Sequence, residues 1–319
     1  MARLAPRHAL DCVASVHAPA VTLLEGERIV SSLSLAGLVF THWLANRLSI
    51  EQASAVGSFI GRRLGTASKR NSRALANISF ALPSTTPAER DLIARGMWDN
   101  FGRTVAESLL IDRIAEDPGR VVLANPELLD AAQGPGLDPG RGTVFVGLHF
   151  GNWEATIIPA LRHGQRPIGV YKPLKNAEVN AWLLRHRRHL YPGGLYPASS
   201  GTLLRIARHV RAGGAICVLA DHRDAAGLAV PFFGRPAPSV ALPAMLAVRY
   251  GARILAARVD RLPHARFSVT LDEIAVPGSG DQAADTLAAT AAIQAKLQDW
   301  ITTDPGRWLW FYKRWDAAD

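Results

Sequence analysis

Along the first third of the chain apolar residues return every three or four positions. Segments near 21–48, 51–64, 66–81 and 87–112 show this spacing with few strand signals between them, which predicts a helical N-terminal region. Thr85 and Thr86 ahead of Pro87-Ala-Glu-Arg90 read as a capped helix start with proline in the first turn. In the first segment Ile29, Leu33, Ala36, Phe40, Trp43 and Leu48 form one apolar stripe. The stretch 29–45 is uncharged but falls short of the roughly 20 apolar residues a membrane span needs. It also carries Ser31, Ser32, Ser34, Thr41 and His42, so an interfacial or core helix fits better than a span. Residues 133–142 are dense in glycine, proline and aspartate and read as a loop.

Beyond that loop the texture changes. Thr143 to Leu148 is a buried-strand candidate, followed by a helix to about His163. Strands are expected at 166–171, 215–220, 253–259 and 265–271, and helices at 178–190, 202–212, 242–250 and 281–302. Alternating strands and helices predict an α/β fold with a mostly parallel or mixed central sheet flanked by helices. We expect one domain over 1–319, with 1–132 mainly helical and 143–319 the α/β part.

Composition narrows the class. With 319 residues, 48% hydrophobic and 20% charged, the chain is globular and can bury a full core. A net charge of +9 favours an acidic partner, whether nucleic acid, anionic lipid or an acidic carrier protein. No helix-turn-helix, zinc or RNA-module signature supports nucleic acid. Cys12 and Cys217 lie far apart, so neither a zinc knuckle nor a disulfide framework is expected. Met1 to Ala20 holds no uninterrupted apolar run, and no secretory signal is expected there.

The candidate chemistry sits at His149, directly after the strand at 143–148, in the segment HFGNWE ending at Glu154. Loops at strand ends are where α/β proteins carry reactive groups. On one continuous helix a five-residue spacing would put His149 and Glu154 about 140° apart. A turn at Gly151, with Asn152 as helix N-cap, lets the histidine fold back toward Glu154. A carboxylate on one ring nitrogen would then leave the other as a general base. On spacing alone a structural histidine–acid pair is an open alternative, and two ligands fall short of a metal set.

The segment HFGNWE resembles the active-site motif of the bacterial lipid A late-acyltransferase family, lauroyl and myristoyl transferases of the glycerolipid acyltransferase superfamily, marked by H-x4-[DE]. Further segments are similar in order: Tyr171-Lys-Pro-Leu-Lys-Asn176, Asp221-His222, the FFG segment at 231–239, the tryptophan-rich end at 305–315, and NSRALANISFALP at 71–83. The resemblance implies transfer of an acyl chain from a thioester on acyl carrier protein to a hydroxyl of a lipid A precursor. No cofactor and no metal is implied. His149 would deprotonate the acceptor and Glu154 would orient and charge-balance it. Lys172 is the candidate oxyanion donor, and Asp221, Asn152 and Gly151 the candidate substrate-binding or site-ordering residues. Lys172 and His222 depart from the arginine and glutamine usual in the family, which leaves another glycolipid acceptor open. A hydrolase or a non-catalytic lipid- or carrier-binding relative is the remaining alternative. The site is expected at the cytoplasmic face of a bacterial inner membrane.

Arg185, Arg187 and Arg188 form the densest basic cluster. They could meet the phosphates of an anionic glycolipid, the acidic surface of acyl carrier protein, or only solvent. Trp308, Trp310, Phe311, Tyr312 and Trp315 suit either a membrane interface or a cover for the sheet.

Overall fold

The computed structural model of the protein describes residues 25–130 and 141–315, with side chains at 34–129 and 141–315. The N-terminal stretch with Cys12, the start of the first apolar segment, the turn-rich residues 133–140 and residues 316–319 lie outside the described residues.

Four helices build the N-terminal region: α1 (Glu25–Ala45), α2 (Ile50–Thr66), α3 (Lys69–Ala81) and α4 (Pro87–Ser108). Ser49 with Gln52 opens α2, and Thr86 with Glu89 opens α4. In each pair the side chain of one residue takes the backbone N–H of the other, which satisfies two otherwise orphaned donors. Small residues let α2 and α4 approach closely: a Cβ added at Gly57 would lie 2.3 Å from the Gly102 carbonyl oxygen. No described helix is long and apolar enough to cross a membrane.

The remaining elements are α5 (Ile111–Glu116), β1 (Val121–Leu123), α6 (Glu127–Asp130), β2 (Thr143–Gly147), α7 (Ile158–Arg162), β3 (Ile168–Tyr171), α8 (Ala177–Arg187), β4 (Gly194–Pro197), α9 (Ser200–Arg211) and β5 (Ala215–Leu219). They continue with β6 (Leu228–Phe232), β7 (Arg235–Ser239), α10 (Leu242–Tyr250), β8 (Arg253–Leu262), β9 (Arg266–Ile274) and α11 (Gln282–Thr303). Seven strands form one sheet in the order β1-β9-β8-β2-β5-β3-β4. Every pairing is parallel except β8 with β9. The fold is therefore α/β, with a mostly parallel sheet flanked by helices.

β2 is buried at all five positions, as a strand between two parallel neighbours must be. Its alternation divides the core: Val144 and Val146 join the cluster that includes Trp310 and Trp315, while Phe145 joins Leu255 and Phe267 on the opposite face. Three features differ from the sequence expectation. The helix after His149 shrinks to a turn, a 3-10 segment at Ala155–Ile157 and the short α7. β1 and β4 are brief strands whose three or four residues carry too little alternation to register. The FFG segment is the tip of a hairpin, β6–β7, in which Phe232 pairs with Arg235. Phe233 and Gly234 both have positive φ, as a two-residue hairpin turn of this hand requires.

Candidate active site

The parallel register of the sheet brings together two residues 72 positions apart. Gly147 of β2 pairs with Leu219 of β5, so His149 and Asp221 each stand two residues beyond the carboxyl end of adjacent strands. Asp221 is almost fully buried and binds the histidine twice. His149 N–H donates to Asp221 Oδ2 at 2.8 Å, and the ring Nδ1–H donates to Oδ1 at 2.9 Å. Trp308 Nε1 donates to the same Oδ2 at 2.7 Å. The carboxylate fixes the ring tautomer, leaving Nε2 as the free base. The ring edge stands between Trp153 and Tyr312, with centroids at 5.3 and 5.4 Å.

The electrostatics follow from this geometry. Burial opposes charge on His149, but the Asp221 carboxylate, its hydrogen bond and the nearby Glu154 outweigh it, so the imidazole pKa lies above 6.5. Burial likewise works against ionised Asp221. The charge of His149 and the three donated hydrogen bonds prevail and hold the carboxyl well below the ordinary range.

Glu154 was the residue expected to orient the ring. The structure instead gives that contact to Asp221, and Glu154 accepts from Arg187 Nη2 at 2.5 Å. The reason is the path of the chain. Gly151 has φ +56°, and the turn it makes carries Glu154 toward α8, while the sheet register carries Asp221 to the ring. Glu154 acts on His149 through its field rather than by a hydrogen bond to the ring.

Beneath the turn lies a buried polar cluster that the motif did not reveal. Glu107 of α4 is fully buried and accepts from Ser54 Oγ at 2.7 Å, from Asn152 Nδ2 at 2.8 Å and from Arg261. Asn100 Nδ2 and Thr104 Oγ1 donate to the Gly151 carbonyl at 3.0 and 2.9 Å. Arg261 also reaches Asn100 and Thr104. The helical region thus clamps the turn that presents His149. An acid at 107, in helical phase with Asn100 and Thr104 on the buried polar side of α4, is the available sequence signal.

The other expected residues fall as follows. Asn152 is buried, but its amide serves Glu107 and does not cap a helix; its Oδ1 has no partner among the described residues. Lys172 is exposed just past the end of β3, at the same end of the sheet as His149 and Asp221. Arg187 turns inward to Glu154, whereas Arg185, Arg188 and His222 are exposed. Of the tryptophan-rich end, Trp308, Trp310, Phe311 and Trp315 are buried and cover the sheet, and Tyr312 is exposed. The interface alternative for the buried four is therefore set aside.

A histidine base held by a buried carboxylate, open at one nitrogen and flanked by aromatic rings, can activate a hydroxyl for attack on an acyl carbon. A comparison with curated proteins gives no match. The family model described as bacterial lipid A biosynthesis acyltransferase matches residues 29–317, nearly the whole chain. The protein therefore belongs to the bacterial lipid A biosynthesis acyltransferase family.

Proposed function

We propose that the protein moves a fatty-acyl chain from a thioester on acyl carrier protein to a hydroxyl of a lipid A precursor, at the cytoplasmic face of the inner membrane. The observation that carries this reading is the His149–Asp221 pair at the carboxyl ends of β2 and β5. Nε2 of His149 takes the proton of the acceptor hydroxyl as its oxygen attacks the thioester carbonyl carbon. The negative charge on the tetrahedral oxygen needs a donor, and Lys172 supplies a mobile positive charge from the end of β3. Collapse breaks the carbon–sulfur bond, and His149 returns its proton to the departing thiolate. Asp221 stabilises the imidazolium between the two transfers. Glu154, neutralised in part by Arg187, adds to the field that favours it.

Arg185 and Arg188 are the exposed cations offered to the carrier or to head-group phosphate. A second reading, transfer to another glycolipid, is favoured by Lys172 and His222, which stand where arginine and glutamine are usual. Labelled acyl-carrier protein and acyl-coenzyme A, each paired with a lipid A precursor and with a phosphoglycolipid, separate these readings. Product with the carrier donor and lipid A precursor alone is the expected result. Product only with the second acceptor overturns the lipid A assignment.

A further inference from the structure

α2 carries its apolar residues on the wrong side for a helix facing water. Apart from Ile50 at the helix start, the buried face carries only small residues, Ala53, Ser54, Gly57, Ser58 and Gly65. The outward face carries Val56, Phe59, Ile60 and Leu64, all large, at helical spacing, and close to half exposed or more, with Leu64 at 69%. A surface helix ordinarily does the reverse. The end of α1, joined to α2 by a short turn, adds exposed Val39, Phe40, Trp43 and Leu44. Apolar exposure this concentrated marks a surface that meets another apolar phase.

The border of this surface is basic. Arg47 lies over the Trp43 ring at 4.7 Å and Arg63 over the Phe59 ring at 5.5 Å. The acid of α2, Glu51, is taken by Arg120 at 2.7 Å. Guanidinium groups resting on outward aromatic rings sit at the level of phosphates when those rings enter an acyl layer. An exposed apolar stripe edged by arginines on its own aromatic rings suits an anionic lipid surface better than a protein partner.

The same helix braces the catalytic turn. Ser54 on its inner face bonds Glu107, which holds Asn152. Gly65 abuts the Trp98 ring, which stacks on Phe311 at 5.1 Å, and Phe311 adjoins Tyr312 beside His149.

We propose that the outward faces of α1 and α2 dock the protein on an anionic lipid surface, so that the helix bracing the His149 turn lies against the bilayer. This deepens the lipid-acyl-transfer reading and rests on it, but docking is measured without transfer, so the two fail separately. The experiment is co-sedimentation of the full chain with vesicles of phosphatidylcholine, with and without phosphatidylglycerol. Wild type is expected to bind the phosphatidylglycerol vesicles. Phe59→Gln with Ile60→Gln is expected to lower partitioning about tenfold, with an unchanged thermal melt and unchanged transfer to a detergent-dispersed acceptor. Leu64→Gln is a second, milder variant with the same direction. Arg47→Gln with Arg63→Gln is expected to lower binding to the anionic vesicles alone. Wild-type partitioning by the Phe59/Ile60 variant overturns the proposal. So does a wild-type dimer that this variant converts to monomer without loss of vesicle binding, which would assign the face to a second copy of the chain.

Discussion

Asp221→Asn separates the two carboxylates that could direct His149. The substitution conserves shape, and the surroundings dictate how the amide must sit. Two donors that cannot reverse, His149 N–H and Trp308 Nε1–H, both point at Oδ2. The amide oxygen must therefore occupy that position, which aims the amide NH2 at the ring Nδ1, 2.9 Å away in the native pair. Nδ1 becomes an acceptor, the ring proton moves to Nε2, and the base is lost. General-base catalysis contributes typically a hundred- to ten-thousandfold, so kcat is expected to fall about a thousandfold. The fall should appear in kcat more than in KM, because the group acts in the transition state. The assay is steady-state acyl transfer with a radiolabelled donor, alongside a thermal melt to verify folding. A variant retaining kcat within about threefold of wild type would refute the tautomer argument and return the orienting role to Glu154.

Other outcomes follow from the same geometry. Because the His149 pKa is raised and the neutral ring is the base, kcat/KM should climb with pH through an apparent pKa above 6.5. Glu154→Gln removes one of the charges that raise it, so a pH–rate profile of this variant should show that limb moved to lower pH. By linkage, the His149 contribution to stability is full below 6.5 and is lost as pH rises through the raised folded value. That of Asp221 is present above its ordinary value of 3.8 and is lost as pH falls through the depressed one; denaturant midpoints against pH read both. Gly151→Ala forces a side chain into φ +56° with Cβ 2.3 Å from the Val259 carbonyl oxygen, and urea unfolding should show a loss of about 3 kcal/mol. Glu107→Leu leaves Arg261 without its buried partner and should cost about 3–5 kcal/mol, much of it recovered by adding Arg261→Met, as a double-mutant cycle measures.

Periodicity and turn chemistry carried the elements. The four N-terminal helices, the buried strand at β2 and the alternation that follows are local properties of the sequence, and Thr86 and Pro87 marked a helix start directly. The motif led to His149 for the same reason. The resemblance marks Asp221 as a substrate-binding or site-ordering residue, but spacing does not show that it, and not Glu154, binds the ring, because β3 and β4 intervene in sequence between β2 and β5 while the sheet places β5 beside β2. Spacing reports neighbours along the chain, and Asp221 is a neighbour only across a ladder. The sense of α2 was hidden for another reason. An apolar stripe in helical phase predicts a face but does not say whether that face turns inward, and here the glycines turn inward instead. The tryptophans near the chain end gave two readings because aromatic composition fits both a core and an interface; only packing separated buried Trp308, Trp310 and Trp315 from exposed Tyr312.

The central claim is that His149 performs acyl transfer. Its most direct test is a single-turnover reaction of acyl-carrier protein with a lipid A precursor, run with wild type and His149→Ala side by side after both are shown to be folded. Labelled acylated lipid from wild type, with the variant slowed about a thousandfold or more, is the expected result. Equal product from the two proteins would contradict the account.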